Sequence, residues 1–285
     1  MILRLMAAAA AAAAAVLLAS CATPGGPASG VERMYVIDCG ENHVTDLSRW
    51  TPGVNVGKPW VFGNHCYLIK HVQGWMLWDT GNPDRIAAMP NGLRNPNGLI
   101  TAFMKQPLAE SLKEIGVAPA AIQHFALSHG HGDHSGNANL FAASTIYMQR
   151  VEHDAVFGPE PAKFGFIPAN FEKLRQSRIV KLDGQYDIFG DGSVTIMPTP
   201  GHTPGSQVLA VRLPKTGLVV LSGDMVHLTD NWAAKRAPGF NFSAEQSVRS
   251  MREVEAFMQR TGAKLWINHD KEQHAAIPKA PRWVD

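Results

Sequence analysis

The sequence predicts one α/β domain built as an αββα sandwich, two sheets face to face with helices outside. Nine short apolar runs rich in branched and aromatic residues read as strands. They fall into two strand-rich halves, each with helical patterns on one side. No internal repeat or interior linker interrupts residues 31–285. Of the 285 residues 45% are apolar and 18% charged, which excludes disordered and fibrous chains. Seven Trp and twelve Phe among 26 Gly and 19 Pro fit a β-containing, loop-rich domain. The formal charge is +2 with no Lys/Arg block, so no nucleic-acid partner is expected.

The first twenty residues read as an export signal to be set aside before fold reasoning. Arg4 supplies one positive charge, and an alanine run Ala7–Ala15 leads into Val16-Leu17-Leu18-Ala19-Ser20-Cys21. The stretch Met6–Ala19 would make a helix of about 21 Å, short of the roughly 30 Å of a bilayer, so a permanent span is not expected. Leu18-Ala19-Ser20-Cys21 resembles the bacterial lipobox, whose cysteine becomes the lipid-bearing first residue. The expected organisation is a signal peptide over 1–20, lipidated Cys21 with a flexible Pro/Gly/Ser tether over 21–33, and a hydrolase domain over 34–285. That places the protein on the periplasmic face of a membrane, with a soluble exported form as the alternative. For Cys39 and Cys66 two separate buried thiols are expected, with a disulfide as the alternative, because nothing in their spacing fixes their approach. Neither belongs to a CxxC pair, so no cysteine-based metal or redox site is expected.

The expected strands are Met34–Asp38, His65–Lys70, Trp75–Asp79, His124–Ser128, Thr145–Met148, Val194–Met197, Gln207–Val211, Leu218–Ser222 and Lys264–Asn268. One helix is expected over Thr101–Ile115, stopped by Gly116. The clearest helix starts at Ser243, with Gln246 completing a capping-box pattern and Gly262 ending it. Within it Val248, Met251, Val254, Phe257 and Met258 recur at spacings of three and four, a stripe that faces a sheet.

The segment carrying chemistry is Ser128-His129-Gly130-His131-Gly132-Asp133-His134-Ser135-Gly136, directly after an apolar strand. It holds four metal-ligating side chains within six residues, separated by glycines that let the backbone turn tightly. His129 and His131 suit one cation, Asp133 and His134 a second. His202 in Thr199-Pro200-Gly201-His202-Thr203-Pro204-Gly205, Asp224 in Ser222-Gly223-Asp224 and His269 in Asn268-His269-Asp270 also end apolar strands. Alone, each of these three would more often be a surface or core residue. Together with the cluster they read as a ligand set for zinc, or for iron, cobalt or manganese.

This pattern resembles the metallo-β-lactamase superfamily, whose hallmark is HxHxDH followed by distant His, Asp and His. All seven positions are present: His129, His131, Asp133, His134, His202, Asp224 and His269. The resemblance implies two zinc ions between the sheets. One takes His129, His131 and His202, the other Asp133, His134 and His269, and Asp224 bridges them. It also implies attack by a metal-bridging hydroxide, since such a pair lowers the pKa of water from about 15.7 to about 7. Asp133 would relay the proton to the leaving group, and Asp79 would orient a metal-binding His from behind.

Within the superfamily the chain is most similar to the quorum-quenching N-acyl-homoserine lactone lactonases. The residues behind this are Val36-Ile37-Asp38-Cys39-Gly40, Leu77-Trp78-Asp79-Thr80-Gly81, Ser128, Pro200-Gly201-His202-Thr203-Pro204-Gly205 and Asn268-His269-Asp270. It implies a small-molecule lactone substrate. Where those enzymes carry a tyrosine three residues after the bridging Asp, this chain has His227, whose imidazole N–H would hold the lactone carbonyl at the pocket rim. Trp232, Phe240 and Phe242 follow in an expected loop and would offer an apolar wall to an acyl chain. The alternatives are a zinc β-lactamase, which generally lacks the bridging Asp, an ester or thioester hydrolase, and a lipid-anchored zinc-binding protein without activity.

Overall fold

The computed structural model describes residues 29–285, so the expected signal peptide and Cys21 lie outside the described residues. The chain runs β1 (Val31–Val44), β2 (Trp60–His71), β3 (Gly74–Trp78), β4 (Leu93–Arg94), β5 (Ile100–Phe103), α1 (Leu108–Ile115) and β6 (His124–Ala126). It continues α2 (Gly132–Ser135), β7 (Thr145–Gln149), α3 (Arg150–Phe157), β8 (Ile179–Leu182), β9 (Tyr186–Asp187), β10 (Val194–Pro198), β11 (Gln207–Leu213) and β12 (Gly217–Leu221). The last elements are α4 (Thr229–Ala234), α5 (Ala244–Thr261), β13 (Lys264–Trp266) and α6 (Lys271–His274). Strand β1 begins at Val31, so the last three residues of the expected tether belong to the sheet.

The strands form an eight-stranded sheet, β4-β5-β1-β2-β3-β6-β7-β8, and a five-stranded sheet, β13-β12-β11-β10-β9. Side chains alternate across a strand, and here both faces are buried, which explains the nearly unbroken apolar runs. Val36, Tyr67, Ile69 and Trp78 from the larger sheet pack on Ile196, Leu209, Val211, Val219 and Leu221 from the smaller. One residue along, Ile37, Leu68, Leu77 and Phe125 turn outward onto Leu108 and Leu112 of α1 and Val156 of α3. On the other side Val208, Ala210 and Val220 meet Met251 and Val254 of α5. Three apolar layers of this kind make the expected αββα sandwich.

Helix α5 forms as the sequence reads. Ser243 caps it, its hydroxyl accepting from Gln246 N at 3.2 Å, and Gly262 closes it at φ +70°. The expected helix over Thr101–Ile115 is corrected: residues 100–103 pair antiparallel with β1, and the helix starts only at Leu108. The physical reason is Pro107, which has no N–H to donate inside a helix and biases the residue before it toward extended backbone. The expectation of two separate thiols is also corrected. Cys39 and Cys66 form a disulfide with Cα atoms 5.9 Å apart. The β1–β2 ladder pairs Ile37 with Cys66, and a register shift after Asp38 brings Cys39 alongside.

Candidate metal centre

The ligands sit past the C-terminal ends of four strands. The His129–His134 turn follows β6, His202 follows β10, Asp224 follows β12 and His269 follows β13. Backbone bonds hold these ends together: Gln207 N donates to Ser128 O at 2.9 Å, and Ser222 N to Trp266 O at 3.0 Å. Gly223 lies at φ +48°, where a Cβ would stand 2.4 Å from the Ser128 side chain, so only glycine allows this approach.

All seven expected ligands converge. His129, His131, His202 and Asp224 bring ligand atoms within 4.8 Å of one another, and so do Asp133, His134 and His269. His131 Nδ1 is 2.9 Å from His129 Nε2 and 3.0 Å from His202 Nε2. Asp224 Oδ2 lies 3.2 Å from His202 Nε2, while its Oδ1 lies 2.9 Å from His269 Nε2 and 3.1 Å from His134 Nε2. One carboxylate therefore faces both clusters, one oxygen to each.

The protein fixes the tautomer of each imidazole by what it offers the far nitrogen. His202 Nδ1 faces Asn241 Oδ1 at 2.9 Å, His131 Nε2 faces Phe164 O at 2.9 Å and His269 Nδ1 faces Gly63 O at 2.6 Å. His134 Nδ1 meets Asp79 Oδ2 at 3.0 Å, and His129 Nδ1 meets the Ser128 hydroxyl at 3.1 Å. With the outer nitrogen engaged in this way, the other nitrogen of each ring faces inward, free to ligate a metal once any proton on it is displaced. Asp224 Oδ1, buried among them, has no hydrogen-bond partner. Ring nitrogens and an unpartnered carboxylate oxygen aimed at common points are what a divalent cation requires, so the residues fit the metals.

Electrostatics agree. Burial and its neighbour His134 push His129 well below the ordinary histidine range, and burial with His202 pushes His131 down to about 4. Both are neutral and able to ligate. At the second cluster burial is outweighed by Asp224, which pushes His134 well up and His269 up, so metal there must displace protons. Burial raises the Asp224 carboxyl, but His269, His134 and His227 outweigh it and hold Asp224 well below the carboxylate range. Asp79 acts as expected. It sits at φ +61°, a conformation L-residues rarely adopt, and its carboxylate accepts from Ser128 N at 2.6 Å as well as facing His134.

Sequence reading missed Glu152, on α3. It is 1% exposed and accepts from Gly130 N and Gly205 N, both at 2.8 Å, and from the Thr203 hydroxyl at 2.8 Å. It thus ties the loop of His129 and His131 to the loop of His202. Burial raises its carboxyl, while these donors oppose the shift. The only signal in the sequence is an acid amid a mostly apolar helix face. Asn42 was also missed; its amide donates to Asp133 Oδ2 at 2.7 Å.

The metal cluster forms the floor of a cavity of about 810 Å³, walled by Trp50, Phe62, Ile86, Phe164, Phe240 and Phe242 among others. Two expectations about it need correction. His227 lies on the floor and not at the rim: it is 2% exposed, with Nε2 3.0 Å from Asp224 Oδ2. Burial pushes it down to about 4. Trp232 belongs to helix α4, packs on the outer face of the smaller sheet under the Lys235 ammonium, and does not line the cavity. Its place three residues after Thr229, on the inward side of a helical turn, accounts for this. Phe240 and Phe242 do line the cavity, 41% and 55% exposed.

Comparison with known proteins agrees with this geometry. Residues 59–260 match the metallo-beta-lactamase superfamily. The N-acyl homoserine lactonase AttM of Azorhizobium caulinodans is 33% identical over 228 residues, 77% of this chain and 86% of that protein. An N-acyl homoserine lactonase of a Bacillus species is 27% identical over 264 residues, 89% of this chain and 99% of its own length. Among solved structures, an N-acyl homoserine lactone hydrolase with N-hexanoyl-L-homoserine at its catalytic metal centre superposes with a TM-score of 0.78 at 25% identity. That match covers 89% of this chain and 99% of the other. With the complete ligand set in place, the chain belongs to the metallo-β-lactamase superfamily and is a metal-dependent hydrolase.

Proposed function

We propose that this protein opens the lactone ring of N-acyl homoserine lactones, using two divalent ions, zinc in the first instance. The observation that carries the reading is a double ligand cluster, joined by Asp224, at the floor of an apolar-walled cavity with room for an acylated ring. The similarity to curated lactonases over three quarters of the chain supports it. Two ions there would supply an activated water at neutral pH and polarise the ring carbonyl.

The chain's own residues do the rest. Asp224 spans the two clusters and fixes their separation. Of the two carboxylate ligands Asp133 is the more open, its side chain 27% exposed against 5% for Asp224, so it is the one placed to pass a proton to the departing alkoxide. Asn42 holds its Oδ2 in position. His227, neutral because buried, offers an N–H at Nε2 to Asp224 or to the ring carbonyl. Phe240 and Phe242 supply apolar surface for the acyl chain, at about 0.8 kcal/mol per methylene buried. Turnover of a panel of N-acyl homoserine lactones, with a β-lactam and a thioester alongside, tests the reading. Ring opening of the lactones at the highest kcat/KM is expected; faster β-lactam or thioester turnover would overturn it.

We further propose export and lipid attachment at Cys21, on the strength of the Leu18-Ala19-Ser20-Cys21 pattern alone. Among the described residues no helix is long and apolar enough to cross a membrane. Cys21→Ser should abolish labelling by a radioactive fatty acid and leave the unprocessed chain. A wild-type mature chain starting elsewhere without lipid would refute the attachment.

A further inference from the structure

The wall of the metal cavity carries arginines that the proposed chemistry does not use. Arg49, Arg85 and Arg94 all line it and all are exposed. The arginines that do form ion pairs, Arg33, Arg150 and Arg249, lie elsewhere. The acids beside the cavity arginines in the chain are already occupied. Asp46 accepts from Ser48 N at 2.9 Å and Gly57 N at 3.0 Å, but its charge still acts on Arg49, so Arg85 and Arg94 are the two arginines that carry the argument. Asp84 accepts from Leu108 N at 2.8 Å and Ala109 N at 3.3 Å, capping α1 and leaving Arg85 without it. Arg94 is folded back on its own hairpin, Nη2 donating to Gly98 O at 3.1 Å, which holds its guanidinium in place with donors to spare.

Among the described residues the carboxylates in the same wall are Asp133 and Asp224, and both belong to the metal centre. The cavity thus has a dication-binding floor, apolar sides and, in Arg85 and Arg94, guanidinium groups with no ion-pair partner among the described residues. A guanidinium matches a carboxylate as a planar fork, and low surroundings of acid leave its field uncancelled within a Debye length of about 8 Å at physiological salt. We propose that these arginines form a subsite for a carboxylate carried at the far end of the substrate, so that the preferred substrates are lactones with an acidic tail. The inference rests on the lactone reading for the reacting end and on the arginines alone for the other.

Two N-acyl homoserine lactones of equal chain length, one ending in carboxylate and one in methyl, test it with the zinc-loaded protein. The carboxylate-ended lactone should have the higher kcat/KM, by about tenfold at low salt. The ratio should fall toward one at 1 M salt and in an Arg85→Gln/Arg94→Gln double variant, where the methyl-ended substrate serves as the control for folding. Calorimetric binding of decanedioate to wild type and double variant adds a readout independent of turnover. Equal turnover of both lactones, or a preference that survives in the variant, overturns the subsite and leaves the lactone reading standing. No lactone turnover, with decanedioate binding that is lost in the variant, overturns the lactone reading and leaves the subsite standing. Neither turnover nor binding overturns both.

Discussion

A histidine ligates only through the nitrogen its surroundings leave unprotonated, so this site is decided by small contacts behind each ring. Asn241, Phe164 O, Gly63 O, Asp79 and Ser128 each set one imidazole. Glu152 acts one step further back, holding by hydrogen bonds the two loops that carry His129, His131 and His202. Glu152→Gln keeps the volume but turns an NH₂ toward one of the backbone donors and removes the charge they solvate. Outer partners of metal ligands are typically worth ten- to a hundredfold in metal affinity. Zinc affinity at the His129/His131/His202 side should therefore fall about tenfold or more, with the Asp133/His134/His269 side retained. Competition with a chromophoric chelator reads both sites, and an unchanged weaker constant would falsify the role given to Glu152.

At the scale of elements, the ligands were legible because each interrupts an apolar strand with a short polar turn. His129–His134, His202, Asp224 and His269 need no knowledge of pairing to be seen. What stayed hidden depends on partners distant in sequence. Strand β5 reads as helix until Pro107 is weighed, and Trp232 reads as loop until α4 is seen to pack on the smaller sheet. The Cys39–Cys66 link requires the β1–β2 register, which no local pattern encodes. That link closes a loop with a sequence separation of 27 residues. Closure of this length contributes about 3.5 kcal/mol, chiefly by restricting the unfolded chain. The Cys39→Ser/Cys66→Ser protein should lose about that much in urea denaturation, with a larger m-value because its unfolded chain is freed to expand. An unaltered midpoint would show that the bond adds nothing to stability.

Over the whole molecule, the metal centre is also a fastener. Its first turn leaves β6 of the eight-stranded sheet, while His202, Asp224 and His269 leave β10, β12 and β13 of the five-stranded one. Both clusters draw on both sheets, since His129 and His131 face His202, and Asp133 and His134 face His269. The apolar layer between the sheets holds them over most of their area. At the strand ends, that layer gives way to seven polar side chains directed at one another. Without cations, the buried Asp224 carboxylate is left to its histidine neighbours alone. Burial opposes it, but Asp224 pushes His134 well above and His269 above the ordinary histidine range, so protons stand where the metals would and charge stays buried. A ligand that binds only the folded chain stabilises it by about 2.7 kcal/mol when free at a hundred times its dissociation constant. For a chain of this size each kcal/mol moves the midpoint by about 2–4 °C. Two such ions should therefore raise Tm by on the order of 10 °C, and a strong chelator should reverse the gain. Calorimetric titration with zinc should show the rise saturating at two equivalents per chain, and Asp224→Ala should forfeit most of it because the carboxylate serves both clusters. Saturation at one equivalent would limit the fastening to a single ion, and a Tm indifferent to zinc would mean that the sheets are held by their apolar layer alone.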